Sequence, residues 1–170
     1  MSASPHYGET TPDSRAGLTG LELLRTMMAG GLPGPTIGRT LNFTLTEVEE
    51  GRCLFHGEPT NDFLNPLGIV HGGWALTLID SACGCATHTV LPAGVGYTSL
   101  ETKVNFTRAI TPKTGRVSAE GRVISRGRQI ITAEATVKDA GGRLLAHGTS
   151  TLLVLRPETK AEQPKGEQNA

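Results

Sequence analysis

Several things are scarce in this chain of 170 residues. Charge of one sign is one of them: 16 Lys and Arg balance 16 Asp and Glu, for a formal net charge of zero. A nucleic-acid partner normally demands a basic surface excess, so a polyanion is not expected as the main ligand. No apolar run approaches the length of a membrane span. The N-terminus lacks a basic segment followed by an apolar one, so no secretory signal is read there, and a cytoplasmic location is expected. Cysteine is limited to three residues, an odd number without a disulfide spacing pattern, as suits a reducing compartment. Aromatic residues make up only 4%. Glycine, by contrast, is plentiful at 22 residues. In strands it marks bends or close backbone approach.

The length suits one domain with a substantial core. Residues 1–16 are polar and contain Pro5 and Pro12, and residues 157–170 have the same character. Both are expected to be disordered tails. The globular part is expected to span 17–156, with 17–35 forming an N-terminal helix and loop. Thr19 and Glu22 form a capping box for a helix to about Ala29, with Leu21, Leu24 and Met28 on one face. Strands are expected near 38–48 and 51–58, where Leu41, Phe43 and Leu45 alternate with polar neighbours.

A second helix is expected from His71 or Gly72 to near Val90. Ala75, Leu76, Leu78, Ile79, Ala82, Cys83 and Ala86 cover most of its circumference, the pattern of a buried helix. Four strands follow, near 97–108, 114–126, 129–139 and 143–155. Tight turns at 111–115, 125–128 and 139–142 predict an antiparallel meander with one apolar face. The architecture expected is α+β, with a long curved antiparallel sheet wrapped around one buried central helix.

Asp80 is the charge that this helix has to explain. An acid among apolar neighbours is either a hydrogen-bonded structural group or a general base or nucleophile. Gly72 and Gly73 open the same helix. Its first N–H groups have no internal partner and carry the positive end of the dipole. The bare N–H of Gly72 is a one-donor oxyanion site, unless the two glycines only permit tight packing. His71 reads mainly as a packing and hydrogen-bonding residue at the helix start. Asn65, in an Asn-Pro turn, serves ordinary turn chemistry or positions a carbonyl or water. Thr98 has the parity of Leu100, Val104 and Phe106. It is therefore expected to face the helix rather than solvent, where a hydroxyl either steadies an attacking water or is satisfied by backbone.

Spacing separates these groups. Gly72 and Asp80 are eight residues apart on one helix, about 12 Å of rise. Catalytic contacts need about 3 Å, so one carbonyl cannot touch both. If both serve one reaction, they come from two chains related by a two-fold axis.

Most of the basic residues in the middle strands read as a solvated outer face. Arg126-Gly127-Arg128 is different, because a glycine turn between arginines can receive an anion through guanidinium and backbone N–H together. Cys83 and Cys85 are one residue apart on a helix and diverge, with no second pair, so no metal site is read. No phosphate loop, dinucleotide fingerprint or serine-nucleophile elbow is present.

The run Asn65-Pro66-Leu67-Gly68-Ile69-Val70-His71-Gly72-Gly73, followed by Leu78-Ile79-Asp80-Ser81-Ala82, resembles the signature of hotdog-fold acyl-CoA thioesterases of the PaaI type, within the 4-hydroxybenzoyl-CoA thioesterase-like superfamily. Lys103–Arg108, Gly121–Arg128 and Asp139–Thr149 are similar too, so the likeness spans about residues 36–155. It implies a hotdog fold, a homodimer with one continuous sheet, often paired again into a tetramer, and hydrolysis of an acyl- or aryl-acyl-CoA. It maps the catalytic acid onto Asp80, the oxyanion N–H onto Gly72, the helix-start histidine onto His71, the amide onto Asn65 and the water-orienting hydroxyl onto Thr98. Gly73, Arg108, Arg126, Gly127 and Arg128 map onto the substrate- and CoA-binding region. No cofactor is implied, since CoA belongs to the substrate, and no membrane or nucleic-acid partner is implied. Trp74 departs from the small aliphatic residue usual after the glycines, and is expected to narrow the acyl pocket or pack at the dimer seam. The rival readings are a hotdog hydratase or dehydratase, a non-catalytic acyl-CoA binder, and a structural oligomer.

Overall fold

The computed structural model describes residues 6–157. Its elements are α1 (Pro12–Arg15), α2 (Gly20–Met28), α3 (Thr36–Thr40), β1 (Phe43–Glu49), β2 (Arg52–Gly57), α4 (Gly72–His88), β3 (Gly96–Phe106), β4 (Val117–Arg126), β5 (Ile130–Asp139) and β6 (Leu144–Leu155). The six strands form one sheet in the order β1-β2-β4-β5-β6-β3, with every pairing antiparallel. The sheet curls around α4, which touches all six strands. This is the hotdog arrangement. No described helix is long and apolar enough to cross a membrane.

Strand parity supplies the inner face. Val117, Ala119 and Gly121 on β4 are buried, as are Ile131, Ala133, Ala135 and Val137 on β5, and Ala146, Gly148, Ser150 and Leu152 on β6. They pack on Leu78, Ile79, Ala82 and Cys83 of α4. The fit is tight enough to depend on a missing side chain. A Cβ on Gly121 would sit 2.2 Å from the Ala82 carbonyl oxygen, so only glycine lets the strand lie on the helix there.

Four expectations need correction. The segment 36–40 is a short helix rather than the start of the first strand, because the apolar alternation begins only at Leu41. The last strands form a meander only from β4 to β6. Strand β3 pairs with β6 at the far edge, and the 107–116 segment crosses from there to β4 in mid-sheet. Helix α4 is not buried all round: Leu76 is exposed, and Thr77, Asp80, Ser81, Cys85 and His88 are partly exposed, forming one open stripe where the sheet does not close.

The fourth concerns the N-terminal tail. Within residues 6–16 the chain is ordered. Tyr7 bridges to Gly34, with Gly8 N donating to Gly34 O at 3.0 Å and Gly34 N to His6 O at 2.9 Å. The Arg39 guanidinium lies 5.9 Å from the centre of the Tyr7 ring. Local polarity hid this strap, because it is held by backbone pairing rather than by apolar burial. The expected tails at 1–5 and 158–170 lie outside the described residues.

Candidate active site

The loop before α4 is built to present the helix start. Asn65 Oδ1 accepts from Leu67 N at 2.9 Å and Ile69 N at 3.4 Å, while Asn65 N donates to Ile69 O. The amide oxygen is therefore spent on the turn, and Nδ2 is its remaining donor group. His71 caps α4, its Nδ1 accepting from Gly73 N at 2.9 Å. That bond fixes the helix end and occupies one ring nitrogen, in keeping with a structural role. Gly72 N has no partner among the described residues. The Phe106 ring lies over this position: a Cβ on Gly72 would sit 3.0 Å from its nearest atom. Glycine is thus needed to keep the N–H open beneath the ring.

Asp80 lies two turns further along, on the open stripe. Its Oδ1 accepts from Ser99 Oγ at 3.0 Å and from Thr102 Oγ1 at 2.9 Å. Thr102 Oγ1 also lies 3.0 Å from Ser150 Oγ, whose single proton goes either to Thr102 or to Glu101 O, 2.9 Å away. Two hydroxyls thus fix one carboxylate oxygen. Oδ2 has no partner among the described residues and remains able to accept a proton.

Thr98 is not part of this arrangement. The β3–β6 register shifts between Ser99 and Glu101. A β-bulge adds one residue and reverses parity beyond it. Tyr97 and Ser99 face α4 before the bulge, and Thr102, Val104 and Phe106 face it after. Thr98 is exposed and contributes no bond to Asp80. Sequence reasoning missed Ser99 and Thr102. Their presence within a few residues of Thr98 was the available signal, but the bulge that chooses among them was not.

The cysteines are not nucleophiles here. Burial first, and the Asp80 charge second, push the Cys83 and Cys85 thiols up to about 12, so both are protonated at neutral pH. Burial likewise raises the Cys53 thiol far above its ordinary range. The described residues hold no cluster of three or more His, Cys, Asp or Glu side chains able to bind a metal ion.

Trp74 takes neither of its expected roles. It is 3% exposed, stacks on Phe63 at 6.0 Å and donates from Nε1 to Leu41 O at 2.8 Å. Its bulk fills the core beneath β1 and β2.

The basic residues divide between the two ends of α4. Arg108 follows β3 at the N-terminal end, its Nη1 donating to Leu144 O at 2.9 Å. Arg126 and Arg128 flank the β4–β5 turn at the C-terminal end, where Leu91, Ile131 and Val154 pack together. Both are exposed, without an ion pair among the described residues. Gly127 N is not free for an anion as expected, because it donates to Ile130 O at 2.8 Å to close the hairpin. The turn therefore offers guanidinium groups but not that N–H.

Comparison with known proteins agrees with this geometry. Residues 67–146 match the family model described as the thioesterase superfamily. A Saccharolobus solfataricus protein named provisionally as an esterase is 29% identical over 126 residues, covering 74% of this chain and 88% of the relative. A phenylacetic acid degradation-related protein of Ralstonia eutropha JMP134, provisionally named a thioesterase, superposes with a TM-score of 0.71 at 25% identity, covering 76% of this chain and 98% of that one. A Streptococcus mutans UA159 protein solved with acetyl-CoA bound superposes with a TM-score of 0.62 at 24% identity, covering 69% and 92%. Sheet order, wrapped helix and neighbours define a hotdog-fold protein. Within that class, the chain is similar to the thioesterase superfamily over residues 67–146.

Proposed function

We propose that this protein hydrolyses the thioester of an acyl- or aryl-acyl-CoA, in sites shared between two chains. The observation that carries this reading is Asp80, with one oxygen fixed by Ser99 and Thr102 and the other free on the open stripe of α4. Such a carboxylate can take a proton from water or attack a carbonyl. The second half of the site is the Gly72 N–H, aided by the helix dipole. Within one chain it lies about 12 Å from Asp80 along the helix.

Pairing two α4 helices antiparallel across a two-fold axis removes the gap. It sets the partner's Gly72 against Asp80, and the partner's Asn65 and Arg108 beside the Arg126–Arg128 turn. The surface favours that pairing. Strand β3 is a sheet edge, and Leu100 and Phe106 on it are each 57% exposed. An uncovered edge strand with exposed apolar side chains invites a second strand. In this dimer Gly72 N–H holds the thioester oxygen, Asn65 Nδ2 assists, and Asp80 drives attack on the carbonyl carbon. The CoA thiolate leaves and takes up a proton, and the acid is released. The arginines hold the phosphates of the CoA arm, the carrier seen in the S. mutans neighbour. Two such dimers pair into a tetramer.

Thiol release measured over short, medium, long and aromatic acyl-CoAs tests the reading. Asp80→Asn keeps the fold and lowers kcat/KM by about a thousandfold on every responsive substrate, the loss of an acid–base or nucleophilic group. Full activity in the purified variant removes Asp80 from the mechanism. Water addition to an enoyl-CoA without thiol release gives the hydratase reading instead.

A further inference from the structure

Away from Asp80, the described chain lines a partly open cavity of about 550 Å³. Leu24 and Met27 of α2, Leu32 of the following loop, Leu45 of β1, Phe55 of β2 and Cys85 of α4 are among its walls. A largely apolar pocket in this range is the usual form of a small-molecule site.

The cavity is held open by its roof. At one end the α2 start is fixed, with Gly20 N donating to Leu91 O at 3.1 Å and the Thr19–Glu22 capping box closed. At the other end the 29–35 loop is tied to the strap by the Gly8–Gly34 and Gly34–His6 bonds. Between those anchors α2 spans the space, and Met27 and Met28 face it with flexible, polarisable side chains. Residues 6–35, which supply the roof, lie wholly before the matched family segment at 67–146.

Cys85 connects the cavity to the candidate site. It is the α4 residue on the cavity wall and lies on the open stripe with Ser81 and Asp80. Five residues separate it from Asp80, about 7.5 Å of rise and about 140° of rotation, so a chain leaving Asp80 must pass round the helix as well as along it. A two-carbon acyl group held at Asp80 ends before that point, whereas a medium-length chain reaches it. A protonated thiol there is an apolar surface.

We infer that the cavity beneath α2 is the acyl-chain pocket of this protein and selects medium-chain aliphatic thioesters over acetyl thioesters. This assignment rests on the thioesterase reading for its substrate, while the cavity itself is testable without it.

Two variants fill the space from different walls: Met27→Trp from the roof and Leu45→Phe from the sheet. The readout is the ratio of kcat/KM for decanoyl-CoA to that for acetyl-CoA. Wild-type protein favours decanoyl-CoA, and each folded variant lowers the ratio by about tenfold or more, as expected when a few methylenes lose their pocket. An unchanged ratio in both variants overturns the assignment. Decanoate, which has no thioester, examines the cavity alone by calorimetry. It binds wild-type and Asp80→Asn protein alike and loses about tenfold in affinity in Met27→Trp. Absence of decanoate binding, or binding indifferent to Met27→Trp, overturns the cavity assignment even if thioesters are hydrolysed. Decanoate binding without hydrolysis of any acyl-CoA upholds the pocket and removes the thioesterase reading.

Discussion

The two edges of the sheet are treated in opposite ways. At the β1 edge the chain covers itself: α2, the 29–35 loop and the Tyr7 strap lie over β1 and β2 and line a partly open cavity. At the β3 edge nothing in the described chain covers the strand, and Leu100 and Phe106 stand in solvent. An edge strand is normally blunted by charge, proline or a covering element. One edge here is covered outright, while the other is left open with only Glu101 and Lys103 as exposed charges. The difference divides the labour along α4. The closed side provides a private apolar space, while the open side exposes Asp80 and its hydroxyl partners where a second copy can complete them.

The open edge is the place to break this comparison hardest. Leu100→Lys puts a charge on the bare strand, and dimerisation is expected to weaken enough to leave monomer by light scattering at micromolar concentration. Thiol release is expected to fall about a hundredfold with it, since like charges meet across the axis. A stable dimer of unchanged activity would place the partner elsewhere. A smaller effect is expected from the Asp80 supports. Ser99→Ala with Thr102→Val removes both donors to Oδ1, and kcat is expected to drop about tenfold with KM little changed, because the loss is of positioning. Thr98→Val, next to Ser99 but facing solvent, is expected to leave kcat as it is. A reversal of those two results would return the water-orienting role to Thr98.

The contrast between Thr98 and Ser99 also shows where sequence reading stops. The α2 capping box, the limits of α4 and the inward residues of β4, β5 and β6 were legible, because each is written in local pattern: Thr19 with Glu22, a glycine start before an apolar run, period-2 alternation. The bulge beside Leu100 was not. One extra residue leaves no mark in composition, yet it decides which hydroxyls reach Asp80. The strap at residues 6–8 was hidden for a related reason, since backbone bonds to Gly34 do not depend on side-chain type. Likewise the Arg126-Gly127-Arg128 turn kept its arginines as read, but the Gly127 N–H belongs to the hairpin. The distance between Gly72 and Asp80 was legible in full, because helix rise is independent of sequence.

That distance makes the central claim testable in one experiment: complementation between two inactive chains. Asp80→Asn lacks the acid, and Gly72→Val closes the oxyanion N–H with a side chain that meets the Phe106 ring. Each variant alone is expected to be nearly inactive. Unfolded together, mixed in equal amounts and refolded, half of the dimers are mixed, and each mixed dimer has one of its two shared sites intact. The account predicts recovery of about a quarter of wild-type activity, the value set by random pairing about a two-fold axis. No recovery, with mixed dimers demonstrated by mass spectrometry, would place Gly72 and Asp80 in separate roles within one chain and contradict the shared site.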